Sequence, residues 1–109
     1  MIYFKHDRQR EEFLKVDPGL KNIIEVFSSI LSAIYKVRTV ITSVYREEKH
    51  SPHYYLRAVD IRSKMMTPTD CIEVANIMNV IFKYGDGPYN TVLYHSVGTG
   101  WHFHLQVKP

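Results

Sequence analysis

The stretch TVLYHSVGTGWHFHLQV, residues 91–107, sets two strand-like runs on either side of GTG, and its reading decides the fold. Both runs are rich in β-branched and aromatic residues, and the glycines between them suit a tight connection, so the segment reads as a hairpin. Side chains two apart on a strand share a face. His102 and His104 therefore look one way, and Trp101, Phe103 and Leu105 fill the other, which is the buried face if helices cover one side of the sheet. Two imidazoles on the polar face of such a strand mark a candidate site.

Working outward, residues 17–36, DPGLKNIIEVFSSILSAIYK, form an amphipathic helix. Asp17 is its N-cap and Pro18 its first helical residue, and Leu20, Ile23, Ile24, Phe27, Ile30, Leu31 and Ile34 fall at helical spacing. Residues 67–85, TPTDCIEVANIMNVIFKYG, repeat the grammar: Thr67 caps, Pro68 starts, Asp70 takes the capping-box position and Gly85 stops the helix. Its core stripe is Val74, Ala75, Met78, Ile81 and Phe82. Between the helices, YKVRTVITSVYR (35–46) and RAVDIRS (57–63) read as strands, and GDGPYN (85–90) as a turn. Residues 1–16 read as a short amphipathic helix or arm. The order helix, strand, strand, helix, hairpin gives an α+β class, with helices on one face of a largely antiparallel sheet.

A chain of 109 residues with 45% hydrophobic content builds one core, so residues 1–109 are expected to form a single domain. The net charge of +3 is scattered among 11 acidic residues. It suits an anionic target, but no basic stripe with interleaved aromatics points to nucleic acid. The one cysteine, Cys71, excludes an internal disulfide and reads as a small buried residue on its helix. No signal-peptide core and no bilayer-length apolar run is present, so the expectation is a soluble monomer made in the cytoplasm without its own export signal, with no membrane partner.

Upstream of the hairpin, HSPHYYLRAVDI (50–61) supplies two more histidines and an aspartate. His53 and Asp60 are seven apart, an odd spacing that sends them to opposite faces of any unbroken strand. They converge only if the chain bends between them, and Pro52 in an irregular approach to a strand starting near Arg57 allows that. The pair could then meet His104 or His102 from the hairpin. Two imidazole nitrogens, one carboxylate oxygen and a fourth position open to water suit catalytic zinc. H-E-x-x-H, C-x-x-C and Gly-rich phosphate loops are all absent.

ITSVYREEKHSPHYYLRAVDI (41–61) followed by GWHFHLQV (100–107) resembles the zinc D-alanyl-D-alanine carboxypeptidases and related phage peptidoglycan endopeptidases of the Hedgehog/DD-peptidase fold. Their pattern is a Ser-Gly-Tyr-Arg-like turn, then S-x-H-x(6)-D, then a C-terminal strand with H-x-H or E-x-x-H. The resemblance implies that His53, Asp60 and His104 hold Zn2+, that Arg46 stabilises the oxyanion of the attacked carbonyl, and that His102 does the proton chemistry. Ser51 would orient the loop or a ligand. The implied substrate is a peptidoglycan stem peptide, and the implied setting a phage lysis or virion enzyme acting on the cell wall.

The chain departs from that pattern in three places. Val44 stands where the family often has Gly, and Leu56 replaces the Gly between the metal ligands, which implies a narrower or differently bent entrance. The family's glutamate three residues before the last ligand is missing: Thr99 precedes His102 and Trp101 precedes His104. Either His102 supplies the proton transfer or Glu47 or Glu48 reaches in. A rival register makes His102 the third ligand. Tyr54 and Tyr55 either line the cleft or pack half-exposed at the loop base, and His95 is either near the site or an ordinary surface residue. His6 and His50 have no partner in sequence. A pocket that binds metal or peptide without turnover is the competing reading.

Overall fold

In chain order the elements are β1 (Ile2–Phe4), α1 (Arg8–Leu14), α2 (Pro18–Ile30), β2 (Thr39–Ser43), β3 (Ala58–Arg62), α3 (Pro68–Ile81), β4 (Val92–Ser96) and β5 (Trp101–Gln106). They come from a computed structural model that describes residues 1–85, 87–98 and 100–109. Asp86, from the expected GDGPYN turn, lies outside the described residues, as does Thr99, the residue three before His102 in the sequence.

Both long helices begin where their caps place them. The Asp17 carboxylate accepts the Gly19 N–H at 2.8 Å, and the Thr67 hydroxyl accepts the Asp70 N–H at 3.1 Å, each satisfying a backbone donor that the helix cannot. The sheet order is β1-β2-β3-β5-β4, with β1 parallel to β2 and the other three pairings antiparallel. The fold is thus α+β with a mixed, mainly antiparallel sheet. Leu20, Ile24 and Phe27 of α2, Leu31 just beyond it, and Val74 and Met78 of α3 bury against Ile61, Val92, Phe103 and Leu105. Phe27 meets Phe103 edge to face at 5.0 Å, between the two histidines of β5. Burying such a ring stabilises by about 1.5–3 kcal/mol, so the strand that carries His102 and His104 is pinned from behind.

Four expectations need correction. The first sixteen residues are not only a helix or arm: Ile2–Phe4 pair in parallel with Thr39–Ile41 as an edge strand, and the following helix returns Phe13 to Phe4 at 5.6 Å. Trp101 is 60% exposed, not buried with Phe103 and Leu105. It sits opposite Ser96 at the end of the sheet and lies against Tyr94 at 4.9 Å. Ile34 is exposed because α2 runs on into a π turn, Leu31–Tyr35, whose extra residue rotates it out of the apolar stripe. The second long helix stops at Ile81, itself exposed, because Phe82 turns extended; Gly85 follows in the connection with φ 64°.

Candidate metal centre

Ser51 starts the local structure on which the site depends. Its hydroxyl accepts the His53 N–H at 3.2 Å and caps a single 3-10 turn, Pro52–Tyr55. The turn ends at Leu56 in the left-handed region, φ 58°, with its N–H donating to the His53 carbonyl and its own carbonyl accepting the Asp17 N–H. A leucine there costs about 1–2 kcal/mol that glycine does not. Leu56, where the peptidases the chain resembles in sequence carry Gly, thus keeps a glycine-type backbone. This turn supplies the bend that the odd His53–Asp60 spacing requires.

The bend places His53 over the open face of the sheet. Asp60 is on the central strand β3, directly across from His104 on β5, and Arg62 is across from His102. His53, Asp60 and His104 are 0%, 3% and 8% exposed, and one donor atom from each lies within 4.8 Å of the other two. Asp60 Oδ1 is 3.2 Å from His53 Nε2 and 3.0 Å from His104 Nδ1. The sequence left His102 and His104 open as third member of the group, and the geometry brings in His104. His102 is farther off, its Nε2 3.7 Å from the same oxygen.

The outer nitrogens decide what this group needs. His53 Nδ1 is 2.8 Å from the Val44 carbonyl, which can only accept, so that nitrogen carries the ring proton. Gln106 donates its Nε2 to the Asn90 carbonyl at 2.9 Å, turning its Oε1 toward His104 Nε2 at 3.0 Å, so His104 also spends its proton outward. In neutral rings both inner nitrogens are then bare lone pairs facing a carboxylate oxygen. Either each ring takes a second proton or one cation sits among the three. The second arrangement fits the donor chemistry: bonds of about 2.0–2.2 Å to a tetrahedral ion separate ligand atoms by roughly 3.4 Å, close to the 3.2 and 3.0 Å between Asp60 Oδ1 and the two nitrogens. Outward N–H bonds to carbonyl acceptors are the usual support of metal-ligating imidazoles. A buried His53–Asp60–His104 group able to hold a metal ion is therefore present.

Asp60 is ionised at neutral pH. Burial by itself would raise its pKa, but with no metal bound, hydrogen bonds from protonated His104 and His53 rings, the charge of His53 and the Arg46 guanidinium outweigh that and hold it well below the usual carboxylate range. Its second oxygen, Oδ2, accepts from Arg46 Nη2, and Arg46 Nε donates to the Ser43 hydroxyl at 3.0 Å. The arginine expected to face a substrate carbonyl is thus bound to the Asp60 carboxylate, with its side chain 33% exposed.

The other candidates divide. His102, Arg46 and Asp60 line one cleft of about 480 Å³, together with Thr42, Ser43 and Ser63. His95 faces the site from β4, its ring 4.8 Å from His102 and 5.6 Å from His104. Burial first, then the two neighbouring imidazoles, lowers its pKa. Tyr54 does not line that cleft but packs between Tyr45 and Tyr55 at 6.0 and 5.0 Å, while Glu47 and Glu48 are solvent-exposed and also outside it. Val44 contributes through its backbone carbonyl. Gln106 went unnoticed in the sequence, although its spacing of two from His104 puts both on one face. Replacing Gln106 with alanine is expected to weaken zinc affinity about 10–100-fold in competition with a chelating dye. Unchanged affinity would mean that the ring needs no partner there.

Set beside known proteins, the chain matches no family model and no curated sequence.

Proposed function

We propose that this chain is a zinc-dependent metallopeptidase that hydrolyses a peptide bond of bacterial peptidoglycan stem peptides, with D-alanine on at least one side of the bond. The observation that carries the reading is the proton count at His53, Asp60 and His104, which leaves two bare nitrogens and one carboxylate oxygen turned toward one point. The order of motifs that resembles the peptidases adds the substrate class.

Zinc held by these three residues supplies Lewis-acid polarisation of the carbonyl and a water of lowered pKa. The chain's own groups divide the remaining work. Arg46 keeps N–H groups beyond those given to Asp60 and Ser43, and from the cleft wall they can meet a developing oxyanion. His102 holds its Nδ1 toward the Gly100 carbonyl at 3.3 Å, which leaves Nε2 to take a proton beside Asp60.

The test is to load the purified protein with one equivalent of zinc and follow muropeptide digestion by mass spectrometry. Shortened stem peptides that vanish on chelation are expected. One zinc per chain with no product would overturn the hydrolase and favour a second reading, a pocket that binds metal or peptide without turnover. That reading draws on one observation: among the described residues no glutamate lines the cleft.

A further inference from the structure

The cleft beside the metal group gathers positive charge from three strand ends. Lys5 follows β1, Arg62 ends β3 with Lys64 two residues beyond it, and Arg46 follows β2, while among the described residues Asp60 is the one acidic residue lining the cleft. Asp60 has nothing left to offer the others, since its oxygens are taken by His53, His104 and Arg46. Among the described residues Lys5, Arg62 and Lys64 pair with no carboxylate within salt-bridge distance. Fourteen basic residues are spread over the whole chain, yet four of them ring this one opening. Their number exceeds what charge balance in the site requires.

Position adds to charge. Arg62 lies directly across from His102 in the sheet and shares the open face with Asp60, two residues before it. The basic end therefore starts two residues along the strand from Asp60, roughly 6.6 Å, which two residues of an extended peptide span. Ser43, Thr42 and Ser63 stand among the cations, although Ser63 already donates to the Trp101 carbonyl at 2.9 Å. A planar, bidentate acceptor is what a guanidinium beside a lysine ammonium recognises best.

We infer that this basic end of the cleft is a subsite for a carboxylate of the substrate, bound by Arg62 and Lys64 with Lys5 at the rim. The carboxylate belongs either to the free end of the peptide or to an acidic side chain next to the bond; the subsite rests on the peptidase reading only for what it is attached to.

Trp101, the single tryptophan, lines the same cleft and reports on its occupancy without any turnover. Titrating zinc-loaded protein with N-acetyl-alanine should change its fluorescence at concentrations about tenfold lower than N-acetyl-alaninamide requires. Raising the salt should narrow that gap. In the Arg62→Gln/Lys64→Gln variant, whose substituted side chains lie outside the core, the preference should disappear while zinc content stays at one per chain. A carboxylate preference that survives in this variant belongs to the metal instead and overturns the subsite, as does equal response to acid and amide.

Hydrolysis then separates the two sources. Peptides with a free or an amidated C-terminus, each with or without an acidic residue beside the bond, should differ in KM about tenfold according to which carboxylate is read. If all are cut with equal KM, the subsite is wrong and the peptidase stands. If none is cut but the fluorescence preference holds, the peptidase is wrong and the subsite stands.

Discussion

Changing His53 to alanine is expected to abolish both zinc retention and hydrolysis. His53 is fully buried, and its Nε2 is one of the two nitrogens aimed at Asp60 Oδ1. Loss of a supporting partner costs about 10–100-fold in metal affinity, and loss of a ligand costs more. The clearest readout is linkage. Zinc at about 100 times its dissociation constant should stabilise the unaltered protein by about 2.7 kcal/mol, which in a chain of this size raises Tm by roughly 10–20 °C. The variant should show almost no zinc-dependent shift. Because alanine also leaves the Val44 carbonyl without its donor, far-UV circular dichroism of the metal-free variant is needed to show that the fold persists. A folded variant that still gains the full shift would remove His53 from the site, and the proposed function with it.

The second large effect concerns Arg46. Its replacement by alanine should leave zinc bound and lower kcat about 10²–10³-fold with a smaller change in KM, the signature of an interaction made mainly in the transition state. The structure gives a rival role, because Arg46 is bonded to the second oxygen of Asp60 and to Ser43, and so could serve only to aim the carboxylate. Arg46→Lys separates the two. Lysine can neutralise Asp60 but lacks the forked donors that reach two acceptors at once. If the lysine variant recovers full kcat, the arginine is a positioning residue for Asp60; if it stays near the alanine value, the extra N–H groups act on the substrate.

Much of this site was legible along the chain because period alone carries it. The alternation in residues 101–107 put His102 and His104 on one face, and the same rule puts Gln106 beside them and Arg62 beside Asp60. Asp17, Pro18, Thr67 and Pro68 announced where the long helices begin because a helix start has purely local chemistry. The bend between His53 and Asp60 was also implied, since no straight strand brings residues seven apart to one side.

Other features have no local signature. The parallel pairing of Ile2–Phe4 with Thr39–Ile41 joins segments more than thirty positions apart, and three residues are too few to carry a periodic signal. Trp101 obeys the alternation yet is exposed, because burial depends on whether a helix lies over that end of the sheet. The π turn after Ile30 changes which residues face inward without changing how apolar they are.

The sequence by itself determined the α+β class, the helix starts and the set of imidazoles and carboxylates available for a metal, because caps, period and residue type act over a few bonds. Only the tertiary structure decided that His104 joins His53 and Asp60, that Arg46 spends one arm on Asp60, and that four cations meet at one opening. Those outcomes depend on distances between separate strands and a loop, fixed by packing and by strand register.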